Sequence, residues 1–425
     1  MLLPDAVKQW AGHQPWIDAG WSYYRRQQLH RSFRQRQAEY ARRAEAAGLR
    51  YDPLSTAKDV QRRLAGRGYQ PTAKASGEIH TFAFIPRLGW HSALYPDLQA
   101  LGRVSEYDYA ARGYTPEEFR KRDASAVRRR RSMHREFIET LARVHAEDPV
   151  DWVFVYASGL EVTPELIEEI TQQIGVPVVN MCLDDKQSWE APGMDGWRFG
   201  QIDLAPAFDL SWTSARVACE WYLCEGGRPI YQAEGFDAEF FRPMSVKKDI
   251  PVSFVGGAYG FRRSLIRDLR RCNIPLQVFG HGWGSDSLSG RELVRLINRS
   301  QINLGAGGIL YSEMLTNLKG RDFEVPGTGG GLYLTTYNAD LADHFEIGRE
   351  IACYHSREEL VDLVRHYLRN PEEAEAIAAR ARVRCLREHR WLHRYETICR
   401  TLGVMASAKT MPSSQHSSEL TPAAA

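Results

Sequence analysis

The chemistry in this sequence concentrates in one run, Arg321-Asp322-Phe323-Glu324-Val325-Pro326-Gly327-Thr328-Gly329-Gly330-Gly331. A carboxylate placed like Glu324, one turn before a glycine-lined helix exit, can accept hydrogen bonds from a sugar diol. Glycines placed like Gly329 and Gly330 let a bulky ligand approach the backbone. The same residues also fit a capped helix end with a tight turn into the strand that follows. A second run, from Phe254 to Arg263, joins a strand to a helix. Its Gly256 and Gly257 expose backbone N–H groups, the helix start adds partial positive charge, and Arg262 or Arg263 adds a full one. That combination suits a diphosphate. It is neither the Gly-x-Gly-x-x-Gly of dinucleotide sites nor a P-loop.

Phe279-Gly280-His281-Gly282-Trp283-Gly284 leaves the next strand. His281 and Trp283 are placed to stack on a nucleobase, although Trp283 also fits a packing plug. In the first half of the chain Asp184 and Asp185 end an apolar strand. Adjacent side chains in extended backbone point opposite ways. One aspartate can therefore face a cleft as general base toward an acceptor hydroxyl, while the other caps the following helix. His91, Ser158, Gly159 and Glu161 also fall at strand ends. No His, Cys and carboxylate set has metal-ligand spacing, so neither a metal nor another cofactor is expected. No nucleophile elbow appears.

Positioning these residues requires a particular order of elements. Apolar strands are predicted near residues 79–85, 103–107, 152–156, 176–181, 208–212 and 229–231, separated by helices. After a polar linker over 235–248 the pattern restarts, with strands near 252–255, 276–279, 302–304 and 332–336. Short apolar strands alternating with helices imply parallel sheets covered on both faces. The expected fold is α/β, with two doubly wound, Rossmann-like domains facing a cleft and a helical N-terminal extension. The expected boundaries are 1–76 for the extension, 77–240 for the first Rossmann-like domain, 241–405 for the second and 406–425 for a disordered tail. In the extension Tyr24, Leu29, Phe33 and Tyr40 are candidate buried positions, and Trp10, Trp16 and Trp21 are expected to pack on the next domain or on a partner.

Composition narrows the class. The chain has 425 residues, 43% hydrophobic and 25% charged, in the usual range for a soluble globular protein. Lys+Arg 55 against Asp+Glu 53 leaves +2, which argues against a nucleic acid as the main partner. The Arg128–Arg131 cluster sits in a helical pattern and reads as a solvated face. Seven cysteines without a Cys-x-x-Cys pair read as reduced thiols of a cytoplasmic protein. The start of the chain turns polar too quickly for a signal peptide. No apolar run is long enough to span a membrane, which leaves peripheral contact with a membrane surface open.

With these residues in view, the sequence resembles a known family. Glu234-Gly235-Phe236-Asp237, continuing to Phe241-Arg242-Pro243, is similar to the inter-domain signature of GT-B glycosyltransferases. Arg321-x-Phe323-Glu324 with its glycines, Phe345-Glu346-x-Gly348-x-Glu350-Ile351, Asn370-Pro371-Glu372-Glu373 and Glu388-His389-x-Trp391-x-x-Arg394 resemble the C-terminal domain of CgeB-like, spore-maturation-type members. The likeness spans roughly 250–402 and is looser over 79–235. It implies transfer of a sugar from a nucleoside-diphosphate sugar to an acceptor glycan, protein or small molecule, without a metal. It gives Glu324 the nucleotide ribose; Gly256, Gly257 and Arg262 would then hold the diphosphate, with Arg321 aiding them or bracing Glu324. Related retaining enzymes carry a further Glu eight positions upstream of this one. Thr316 stands there, with Glu313 out of step. A nucleotide-sugar epimerase of the same fold and a non-catalytic nucleotide-sugar-binding protein are the alternatives.

Overall fold

The computed structural model describes residues 15–87, 89–121, 123–190, 199–284 and 288–406, with side chains from residue 23 onward. The expectations for Trp10, Trp16, Trp21 and the tail beyond 406 lie outside the residues so described.

The first unit is a six-stranded sheet of β1 (Ile79–Phe84), β2 (Gly102–Glu106), β3 (Trp152–Val155), β4 (Val178–Cys182), β5 (Leu210–Thr213) and β6 (Pro229–Tyr231). Its spatial order is β2-β1-β3-β4-β5-β6, and every pairing is parallel. Strands β1, β3, β4 and β5 are buried along their whole length because helices cover both faces. The second unit begins with β7 (Ile250–Val255), β8 (Leu276–Phe279) and β9 (Ser300–Leu304). A hairpin of β10 (Gly308–Ile309) and β11 (Ser312–Thr316) follows, then β12 (Leu332–Thr336) and β13 (Ala352–Tyr354). Its five-stranded parallel sheet has the order β13-β12-β9-β7-β8. In each sheet the chain reverses its direction of growth once, beside β1 and β3 in the first and beside β7 and β9 in the second. Crevices at such switch points, outside the carboxyl ends of the strands, are where open α/β sheets bind ligands.

Helix starts follow the sequence closely. Thr115, Thr163, Ser289 and Ser356 each accept a backbone N–H in the first turn of the helix they open. The hairpin at 308–316 and strand β13 carry no comparable signal in the sequence.

Packing crosses the domain limits expected from sequence in two places. The last helix, Trp391–Leu402, leaves the second unit and packs in the first core, where Trp391, Tyr395, Ile398 and Leu402 join Ile79, Leu98, Phe154 and Trp212. The chain therefore crosses between the units twice. The N-terminal helices are part of the first unit's packing. Val60 and Leu64 of the helix Pro53–Gly66 lie in that same core. Tyr40 of the helix Pro15–Ala46 sits among Trp189 and Trp221, its hydroxyl accepting from Trp189 Nε1 at 2.9 Å. The long helix also reaches the second unit through His30 Nε2 and Ser312 Oγ, 2.5 Å apart. Finally, Tyr24 is 53% exposed and is not the buried position expected of it. The Arg128–Arg131 run is likewise not a uniformly solvated face. Arg130 is buried and donates to the Leu160 carbonyl.

Candidate active site

A cavity of about 350 Å³ lies between the two units, at both switch points. From the first unit it takes Trp90 and Ala93 after β1, Tyr156 after β3, and Leu183 and Asp184 after β4. From the second it takes Val255 at the end of β7, Arg262, Gly305 and Ala306 after β9, and Lys319, Gly320, Arg321 and Glu324 at the start of a helix. Glu234 and Trp391 enter from the two crossings between units.

The helix Arg321–Thr328 points its N-terminus, not its glycine-rich exit, at this cavity. No side chain caps that end. Asp322 fixes the turn before it: one carboxylate oxygen accepts from Lys319 N at 2.8 Å and the other from the Tyr333 hydroxyl at 2.8 Å. Burial raises the Asp322 carboxyl to about 6. The turn so held presents Lys319 and Arg321 beside the partial positive charge of the helix end. Arg321 Nη1 pairs with Glu324 Oε2 at 3.1 Å. Burial raises the Glu324 carboxyl and Arg321 opposes that rise.

Gly329 and Gly330 do not line the cavity. Gly329 ends the helix at φ 65°, and a Cβ there would press on Arg382 Cδ at 2.8 Å. A Cβ on Gly330 would meet Asn298 Cα at 2.7 Å. Their expected role in admitting a ligand gives way to helix termination and close packing against neighbouring helices. The sequence pattern is the same for both roles, and only the direction of the helix separates them.

Within the β7 loop Arg262 is the residue that reaches the cavity, while Gly256 and Gly257 stand behind it. A Cβ on Gly256 would lie 3.0 Å from Arg262 Nη1, so glycine leaves the guanidinium room to lie there. Arg262 stacks over the Tyr259 ring at 4.5 Å, and its buried Nε has no hydrogen-bond partner among the described residues. His281 is exposed and outside the cavity wall, which removes it from the expected base contact. Trp283 donates from Nε1 to the Gly256 carbonyl at 2.6 Å and packs edge-on to Phe254. It braces the loop instead of offering a face to a ligand.

The two adjacent aspartates diverge. Asp185 is fully buried and accepts from Thr213 Oγ1 at 2.5 Å and Tyr222 OH at 2.8 Å. Burial raises it to about 6 against those two hydrogen bonds. Enclosed in this way it touches no acceptor, and its candidacy as base is withdrawn. Asp184 lines the cavity with its side chain 52% exposed, 3.7 Å from Lys319 Nζ and 3.4 Å from Asn317 Nδ2. The capping role expected for its neighbour is absent too: no side chain caps the short helix Asp185–Ser188. Of the other strand-end candidates, Glu161 is spent on Ser158, accepting from its N and Oγ, and His91 bonds the Pro86 carbonyl.

Thr316 and Glu313 face a separate groove beneath the long N-terminal helix. Thr316 offers its carbonyl to Lys186 Nζ at 2.7 Å, and Glu313 pairs with Arg357. Neither replaces the absent upstream glutamate at the cavity.

Sequence reasoning did not single out Trp90, Tyr156, Lys319 or Glu234 as cavity residues. Glu234 is 4% exposed, and its Oε2 has no hydrogen-bond partner among the described residues. Burial, reinforced by Asp322 and Asp184 and opposed by Lys319, pushes its carboxyl up to about 8. Among the described residues no group of three His, Cys, Asp or Glu is arranged to hold a metal ion, and no helix is long and apolar enough to cross a membrane.

This architecture is GT-B: two parallel-sheet α/β units meeting at a cleft, with a final helix that returns to the first. Residues 262–400 match a family described as glycosyl transferase-like. No curated protein matches the chain in sequence. Among solved structures, Anabaena Alr3699/HepE in complex with UDP and glucose is similar at 11% identity and TM-score 0.50, over 77% of this chain and all of that one. The same protein in complex with UDP-glucose gives the same figures. Sucrose-phosphate synthase from Thermosynechococcus elongatus aligns at 12% identity and TM-score 0.48, over 81% of this chain and 92% of that chain. At such identities the likeness is one of fold.

Proposed function

We propose that this protein is a glycosyltransferase that moves a sugar from a nucleoside-diphosphate sugar to an acceptor hydroxyl, with protein cations meeting the phosphate charge. The observation that carries the reading is the convergence of Arg262, Lys319, Arg321 and an uncapped helix N-terminus on one cavity at both switch points. Cations and oriented N–H groups aimed at a diphosphate stabilise the charge that grows as it leaves. Glu324, braced by Arg321, accepts hydrogen bonds from the nucleotide ribose. In the reaction the acceptor oxygen bonds to the anomeric carbon of the donor. The bond from that carbon to the β-phosphate oxygen breaks, the nucleoside diphosphate leaves, and the hydroxyl proton passes to Asp184. A cavity roofed by both units excludes water that would otherwise hydrolyse the donor.

The glycosyl transferase-like match and the UDP-bound HepE structures support this reading. The motifs of the second unit favour the CgeB-like branch. The seven free thiols fit a reducing, cytoplasmic setting. A thermal-shift screen against nucleoside diphosphates and nucleotide sugars, followed by transfer assays with the best donor, tests it. A nucleotide sugar that raises the melting temperature by mass action, and is then consumed only when an acceptor is present, is the expected result. Conversion of the bound donor without acceptor would point instead to an epimerase.

A further inference from the structure

The first-unit half of the cavity has a composition of its own. Trp90 is 42% exposed and stands edge-on to Tyr156, with ring centroids 5.5 Å apart. Trp90 also lies nearly parallel to Trp391, at 6.3 Å and 18°. Leu183 completes an apolar wall. Glu234 lines the same cavity, buried and with an unpartnered carboxyl oxygen. An orphaned buried polar atom is unfavourable until something bonds it, and among the described residues no protein partner does so.

We propose that Glu234 and the Trp90–Tyr156–Trp391 wall form a subsite for an uncharged sugar ring, so that the acceptor is a neutral carbohydrate. This rests on the glycosyltransferase reading and names the substrate class of the same site. A pyranose ring offers an apolar C–H face that lies flat on aromatic rings, and edge hydroxyls that both donate and accept. The aromatic wall meets the first, and the unpartnered Glu234 carboxyl meets the second. Its protonated form donates one hydrogen bond and accepts others, so it matches a hydroxyl pair. A carboxylated ring is disfavoured, because its carboxylate would be brought beside Asp184 and the buried Glu234. A lipid tail would leave the Glu234 oxygen unbonded.

The test is a titration of the full-length protein, followed by tryptophan fluorescence, with methyl glycosides of glucose, galactose, mannose and N-acetylglucosamine and with methyl glucuronide. UDP is titrated in parallel. At least one neutral glycoside is expected to bind, with the glucuronide at least tenfold weaker. Glu234→Gln keeps the shape and the hydrogen bonding of the neutral acid and should hold affinity within about threefold. Glu234→Leu should lose at least tenfold, with UDP affinity unchanged in both. Melting temperatures of both variants establish that they are folded. Binding that is indifferent to Glu234→Leu, tighter for the glucuronide, or absent for every glycoside would overturn the subsite. Failure of the underlying reading shows separately, as loss of the UDP signal while glycoside binding persists.

Discussion

The two walls of the cavity are built on the same kind of sheet, at the same kind of switch point, yet they differ in chemistry. The second-unit wall carries Arg262, Lys319, Arg321 and a helix N-terminus. The first-unit wall carries Trp90, Tyr156, Asp184 and, at the crossing, Glu234. One side is arranged for charge and the other for apolar faces and hydroxyls. A fold that repeats its architecture can thus give its two halves different chemistry, the loops after the strands supplying the difference.

Asp184 and Asp185 give the sharpest way to break this division, since they are neighbours with opposite environments. Asp184→Asn should lower the transfer rate by about 10²–10⁴-fold, leaving donor affinity and melting temperature near wild type. Asp185→Ala should do the reverse. It leaves the Tyr222 and Thr213 hydroxyls without their acceptor and should cost about 2–4 kcal/mol of stability, with any loss of rate tracking the unfolded fraction. Kinetics and thermal melts on the two variants measure both. Equal effects on rate in folded proteins would erase the distinction.

A smaller effect concerns pH and the first wall. Glu234 titrates near its ordinary 4.5 when unfolded and at about 8 when folded, in the company of Asp322, Asp184, Lys319 and Arg394. Below about 4.5 the acid is protonated in both states and Glu234→Gln gains nothing. As pH rises toward about 8 the unfolded chain releases its proton while the folded one resists, so wild-type stability falls. The gain of Glu234→Gln should therefore grow over that window and level off above it, reaching a few kcal/mol at most. Melting temperatures from pH 5 to 9 follow it. A constant offset across the range would contradict an uncharged Glu234.

The smallest expected effect lies behind the second wall. Gly329→Ala places a side chain at φ 65° against Arg382, and should cost about 1–2 kcal/mol of stability from the backbone alone. Nucleotide affinity should not move, because Gly329 serves the helix exit and not the ligand. A selective loss of nucleotide binding would restore the glycines to the site.

How far the sequence disclosed this molecule follows from range. Strands β6, β8 and β12 and the helices at 262–271 and 391–402 fall where apolar runs, caps and periodicity put them, because those signals are local. Glu324, Arg321 and Arg262 could be picked out as cavity-lining residues because each sits in a short glycine-bearing motif. The choice between Asp184 and Asp185 was not readable, since it turns on whether the backbone at the end of β4 has already bent toward the helix at Asp185. Gly329 and Gly330 misled for the reason that a helix exit looks alike whether it faces a ligand or Arg382. Glu234 opens the inter-domain signature, just before the linker over 235–248, and no periodicity there marks it as a cavity residue. Its surroundings exist only after Trp391, from the end of the chain, folds back across the cleft.

The central claim, a cationic wall that holds a nucleoside diphosphate, is tested most directly by calorimetric titration of UDP, UMP and uridine into wild type and Arg262→Ala. The account predicts that wild type binds UDP at least tenfold tighter than UMP and far tighter than uridine. In Arg262→Ala most of the UDP advantage is lost while uridine is unaffected, in keeping with about 1.5–3 kcal/mol for a charge-assisted hydrogen bond. UDP bound no better than uridine in wild type, or an undiminished UDP preference in Arg262→Ala, would contradict it.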